Sequence, residues 1–234
     1  MWYLPVFVAA AAALPAQQWP SDASPAKLSP DQQLNAQLME GDHAKVLGDH
    51  AAAIKLYENA LQRVRTEAPL KNREEEVLQR LSAAYIAAQR PKDAVRMSTL
   101  VLEFHKEDCK PGASGVERCA DAQYGLGVAL MHAGDFTRAV TQLNAAVANF
   151  AKIGLEGDEA YRMTKLKQRG DAESMAAAAL FRSGQKPQAI AAFRKAIATL
   201  STVANDSKLD PGTRGSARTS LKDAQTSLEL LEKK

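Results

Sequence analysis

The sequence has no large charge excess, no catalytic signature, only two cysteines and almost no strand signal. Its 30 Lys and Arg against 27 Asp and Glu leave a net charge of +3, with the two signs interleaved. That is not the basic footprint of a nucleic-acid binder. Apolar residues at 46% and charged residues at 24% exclude disorder over most of the length. Beyond the first sixteen residues no segment has about eighteen consecutive apolar residues, so no stable membrane span is expected there. The chain contains no His-Glu-x-x-His, no Gly-x-Ser-x-Gly, no phosphate-cradling Gly-x-x-x-x-Gly-Lys and no dinucleotide fingerprint. Its carboxylates mostly alternate with Lys and Arg, as in Lys71-Asn72-Arg73-Glu74-Glu75-Glu76. Such runs predict solvated helix faces with ion pairs three or four residues apart. The reading is therefore non-catalytic, with no cofactor.

The first sixteen residues carry no charged side chain, and an apolar run from Trp2 to Leu14 is broken only by Pro5. As a helix that run would span roughly 20 Å, short of the ~30 Å hydrocarbon core. Small residues and then Gln17-Gln18 follow it, which predicts a cleaved signal peptide over residues 1–16. The usual Lys or Arg before the run is missing, and no Cys follows it to take a lipid anchor. The expected compartment is extracytoplasmic, periplasmic or secreted. Residues 17–30 are rich in Pro, Ser and Ala and read as a flexible lead-in.

From residue 31 to about 204, apolar residues recur at helical spacing among Ala, Leu, Glu, Lys and Gln. Four stretches share one spelling: Gly48-Asp49-His50-Ala51-Ala52-Ala53-Ile54, Arg90-Pro91-Lys92-Asp93-Ala94-Val95, Gly134-Asp135-Phe136-Thr137-Arg138-Ala139-Val140 and Gly184-Gln185-Lys186-Pro187-Gln188-Ala189-Ile190. Gly closes one helix in the left-handed region, and Asp or Pro opens the next. The small Ala53, Ala94, Ala139 and Ala189 then permit close helix approach. Tyr57, Ser98, Leu143 and Phe193 follow one turn later on the same face.

These units resemble the tetratricopeptide repeat. The third carries most of the pattern, in Leu126-Gly127, Leu130, Gly134-Asp135-Phe136, Ala139 and Ala146. The second departs from it, with Ser82, Gln89 and Ser98 where Gly, Gly and an aromatic are usual. The recurring alanines lie 41, 45 and 50 residues apart, which is similar to the long-repeat form seen in kinesin light chains and many bacterial proteins. Residues 160–181 read as one long first helix of the fourth unit, weakened in the middle by Gly170. The expected fold is an all-α solenoid of about four helical hairpins.

The resemblance implies a groove lined by the first helix of each unit, which would hold an extended peptide or a helix of a partner protein. By register, the second unit presents Glu76, Gln79, Ala83 and Ile86. The third presents Asp121, Tyr124, Val128, Met131 and His132. The fourth presents Asp171, Ser174, Ala178, Phe181 and Arg182. Met131 and Phe181 have a second reading, as packing against the neighbouring unit. Leu38 and Asp42 stand where carboxylate-clamping relatives carry Lys and Asn, so that clamp is not implied.

Residues 211–233 follow an Asp210-Pro211-Gly212 turn and carry one apolar stripe, Ala217, Leu221, Ala224, Leu228 and Leu231. The stripe predicts a helix that caps the solenoid, with weak self-association through it as the alternative. Cys109 and Cys119 flank a Pro- and Gly-containing loop between the second and third units. In an oxidising compartment they are expected to form a disulfide. A metal at His105, Cys109 and Cys119 would need an improvised ligand such as Asp108, and register keeps His43 from facing His50. No metal site is predicted.

Overall fold

The computed structural model describes residues 28–153 and 158–233. The expected signal peptide, and the lead-in as far as residue 27, lie outside the described residues. Within them the chain forms α1 (Pro30–Val46), α2 (His50–Thr66), a 3₁₀ turn (Ala68–Arg73), α3 (Glu74–Ala87), α4 (Pro91–Phe104), α5 (Val116–His132), α6 (Phe136–Phe150), α7 (Glu159–Arg182), α8 (Lys186–Ala204) and α9 (Pro211–Glu232). The described residues contain no strand.

The helix boundaries follow from local chemistry. Ser29 and Gln32 form a capping box at the start of α1. Asp49 and Asp135 cap α2 and α6 by accepting from backbone amides three residues on. Pro91 is the first residue of α4 and Pro187 the second of α8, where a missing N–H costs nothing. Within each hairpin the first helix ends in the same turn. Gly48, Gly134 and Gly184 have φ of 81°, 77° and 85°, and Gln89 holds the equivalent place at 56°. The residue after each closes back onto the carbonyl five before it, as Asp135 does onto Leu130 and Arg90 onto Tyr85.

Inside each hairpin a small residue on the first helix meets a side chain sixteen residues later on the second. A Cβ on Gly41 would lie 2.4 Å from the Tyr57 ring, and one on Gly127 would lie 2.6 Å from Leu143. In the second hairpin both partners are small, and the Ser82 and Ser98 hydroxyls meet at 2.7 Å. In the fourth, Ala177 packs with Phe193. Gly170 does not break α7, contrary to the expectation of a weak point. A Cβ there would meet Leu200 at 2.8 Å, so the glycine repeats the close contact two turns further along the longer hairpin.

Successive hairpins share their cores. One cluster joins the first two hairpins and reaches Ala122 and Ala129 of α5. Another joins Leu126, Leu130 and Leu143 to Ala176 and Ala179 of α7. A third joins Ala177, Phe193 and Leu200 to Ala224 and Leu231 of α9. The apolar stripe of α9 is thus occupied inside the chain, covering the end of the stack. The first helices touch directly, α3 on α5, α5 on α7 and α7 on α9, whereas no comparable contact joins α2 to α4, α4 to α6 or α6 to α8. Closer spacing on one side curves the stack and sets the first helices on its inner face.

Candidate partner-binding groove

The inner face divides into three zones. Between α1 and α3 it is filled by its own charges. Arg80 bridges Asp42 and Glu76, and Arg73 bridges Glu76, Asp31 and Asn35. The Tyr57 hydroxyl donates to Asp42 at 2.7 Å. Burial alone would raise the Asp42 carboxyl, but Tyr57 and Arg80 outweigh it and hold the group below its ordinary range. Arg73 and Arg80 depress Glu76 against burial in the same way. Glu76 is therefore committed to the joint between the first two hairpins. The run around Arg73 also does more than pair locally, because Arg73 reaches α1, forty residues back.

Between α3 and α5 the key group is His105, buried at the end of α4. Its Nδ1 lies 2.9 Å from Asp108. Its Nε2 lies 2.9 Å from Glu75, in a direction poor for a hydrogen bond. Burial opposes charge on the ring, but the two carboxylates win and raise its pKa. Arg118 of α5 closes the set with two contacts to Asp108. Cys109 and Cys119 form a disulfide at the same junction, so neither thiol is available to a metal. Gln79 is exposed and donates to Glu75. Ala83 is exposed, and Ile86 is half-buried against the first core.

Between α5 and α7 the face is open. Tyr161 and Lys165 of α7 both bind Glu117. One turn on, Asp121 is exposed and has neither an ion pair nor a hydrogen bond among the described residues. Desolvation nevertheless raises its pKa. Tyr124 is half-buried on the core beside it, and burial pushes its phenol up. Val128 is half-buried. His132 is exposed, and partial desolvation lowers its pKa. On α7, Asp171 accepts from Lys167, and Ser174 and Ala178 are half-buried. Phe181 is exposed.

Two of the groove positions do other work. Met131 is half-buried and packs against the core of the third hairpin. Arg182 lies over the Phe136 ring at 4.7 Å, tying α7 to α6. The packing of Met131 fits its second sequence reading, and the pairs of Glu76 are the local ones its charge run predicts; register does not reveal the Arg182–Phe136 contact or the reach of Arg80 to Asp42, because each joins two hairpins. Among the described residues no three His, Cys, Asp or Glu side chains converge to hold a metal.

The tetratricopeptide repeat family matches residues 106–152, the segment that contains the third hairpin. The chain is similar to nearly identical TPR-like repeats of a Podosopora anserina protein described as a kinesin light chain, in its Q17M form. The likeness has 19% identity and a TM-score of 0.59, covering 88% of this chain and 95% of that one. It is also similar to BtubC (BKLC) of P. vanneervenii, at 19% identity and a TM-score of 0.58, covering 77% and 68%. At that identity the likeness concerns the fold. No curated protein matches. The tetratricopeptide signature thus falls on the third hairpin, and the stack of helical hairpins before and after it has the fold of those TPR-like repeats.

Proposed function

We propose that this protein is a non-catalytic scaffold outside the cytoplasm that holds a segment of a partner protein against its inner face. The observation that carries the reading is the open strip between α5 and α7. There Asp121, Tyr124, Val128 and Phe181 are reachable on helices fixed by the cores beneath them. Apolar side chains supply burial, and the flanking polar groups supply orientation. Little backbone movement is required, because the helices are already in place. The disulfide and the uncharged apolar start of the sequence support an oxidising, extracytoplasmic setting.

The test is crosslinking of the native protein in its own cell, followed by the same capture with Tyr124→Ala, Val128→Arg and Phe181→Ala. The expected result is loss of the attached protein, with the melting temperature near wild type for Val128→Arg and Phe181→Ala and lowered for Tyr124→Ala, whose ring also packs on the core. Unaltered capture by all three variants overturns the groove. Cell fractionation that finds the protein in the cytoplasm with reduced thiols overturns the compartment.

A further inference from the structure

Apart from the groove, we infer that the Cys109–Cys119 disulfide is a thiol-exchange site that opens in one direction: an incoming thiolate bonds to the Cys109 sulfur, and Cys119 leaves as a thiolate held by Asn149. Access sets the direction. Cys109 is half-buried on the turn after α4, in a loop whose residues 110–112 are exposed. Cys119 is fully buried in α5. A thiolate approaches a disulfide along the S–S axis, opposite the sulfur that leaves. Attack on Cys109 comes from the solvent side. Attack on Cys119 would have to come through the core of the third hairpin, where Ala120, Ala146 and Phe150 are packed. Asp108, next to Cys109 in the chain, is neutralised by two contacts from Arg118, so it does not repel the incoming thiolate.

The buried end is arranged to receive the charge. Asn149 of α6 is itself buried, and its Nδ2 donates to the Cys119 sulfur at 3.3 Å. The same Nδ2 donates to Gln123 Oε1 at 2.9 Å, and Lys152 donates to Asn149 Oδ1 at 3.0 Å. Both contacts hold the amide in place, and the lysine polarises its N–H groups toward the sulfur. Such a donor gains strength once the sulfur is a thiolate, which offsets the burial that opposes charge. Cys119 is also the fourth residue of α5, and a helical side chain leans toward the N-terminal end, where free backbone N–H groups favour negative charge. A better-stabilised thiolate leaves faster.

The step balances with a dithiol as the reductant. Its thiolate forms a mixed disulfide with Cys109 as the Cys109–Cys119 bond breaks and the electron pair passes to the Cys119 sulfur. Its second sulfur then attacks the first and expels Cys109. The dithiol becomes a disulfide, the chain gains two electrons, and the two thiol protons end on Cys109 and Cys119. The partner chemistry is that of a thiol–disulfide oxidoreductase.

The experiment treats the oxidised full chain with glutathione in native buffer, stops it at early times with N-ethylmaleimide and maps both cysteines by mass spectrometry. Glutathione on Cys109 with maleimide on Cys119 is expected in about tenfold excess over the reverse pair. Asn149→Asp keeps the shape of the side chain but exchanges the donor for a repelling carboxylate. Dithiothreitol should open its disulfide about tenfold more slowly than that of wild type. A change that merely loosened the hairpin would make opening faster. Glutathione found on Cys119, or shared equally, overturns the direction, and so does a disulfide that neither reagent opens without denaturant. Opening of Asn149→Asp at or above the wild-type rate overturns the role of Asn149 in holding the leaving thiolate. Neither result bears on the groove.

Discussion

Ser82 on α3 and Ser98 on α4 meet hydroxyl to hydroxyl at 2.7 Å, at the place where the first hairpin seats Gly41 under Tyr57. Ser82 also donates to the Ala94 carbonyl at 3.3 Å, which leaves Ser98 to donate to Ser82. The second hairpin thus replaces a glycine–aromatic contact by a buried hydrogen bond. Either Ser→Ala change should lower stability by about 1 kcal/mol, and the double change by less than the sum. Urea unfolding of the three variants measures the coupling; strict additivity would show that the hydroxyls do not depend on one another.

Gly127 and Leu143 give the steric version of the same contact. Gly127→Ala should cost about 1–3 kcal/mol, because the new methyl would press on a Leu143 side chain that is fully buried. Leu143→Ala should cost about 2–5 kcal/mol on its own. Combined, the two should cost less than their sum, since each removes the other's clash or cavity. Thermal unfolding of the set checks this.

Gln89 occupies a left-handed turn that its counterparts fill with glycine. Gln89→Gly should stabilise the protein by about 0.5–1 kcal/mol, the relief of the side-chain clash less the added freedom of the unfolded chain. Gly134→Gln should do the reverse. A fall in melting temperature for Gln89→Gly would contradict this account of the turn.

His105 makes stability depend on pH. Its folded pKa is raised, so its contribution is complete below about pH 6 and is lost as pH rises past 6.5 through the raised value. Asp42 and Glu76 act oppositely. Their pKa values are depressed, so their contribution is present above the ordinary carboxylate range and is lost as acid protonates them. Melting temperature should therefore peak in mildly acidic solution. The gap between wild type and His105→Gln should be widest there and close toward alkaline pH. A gap that widens with pH would reverse the assignment.

The Cys109–Cys119 disulfide closes a short loop, its cysteines ten residues apart in sequence, at the joint of the second and third hairpins. Reduction should cost roughly 2.5–3 kcal/mol. The loss should appear first as faster hydrogen exchange in α5, whose buried start includes Cys119. Exchange that rises equally in α1 and α9 would mean the disulfide does not act locally.

The turns, the caps, the small residues at the hairpin contacts and the stripe of α9 are all legible in the sequence. Each is a local matter of backbone freedom or helical periodicity, so neighbours in the chain suffice to specify it. Gly170 was legible only as a weakness, because its use appears when Leu200, thirty residues later, lies against it. The groove positions follow from register, but which of them are free does not. Arg80, beyond its local pair with Glu76, reaches Asp42, and Arg182 lies over Phe136, while Asp121 has no ion pair among the described residues. Those outcomes belong to the tertiary structure. Electrostatic and packing partners are chosen by distance in space, and the stacking of hairpins brings together side chains that the sequence keeps about forty residues apart.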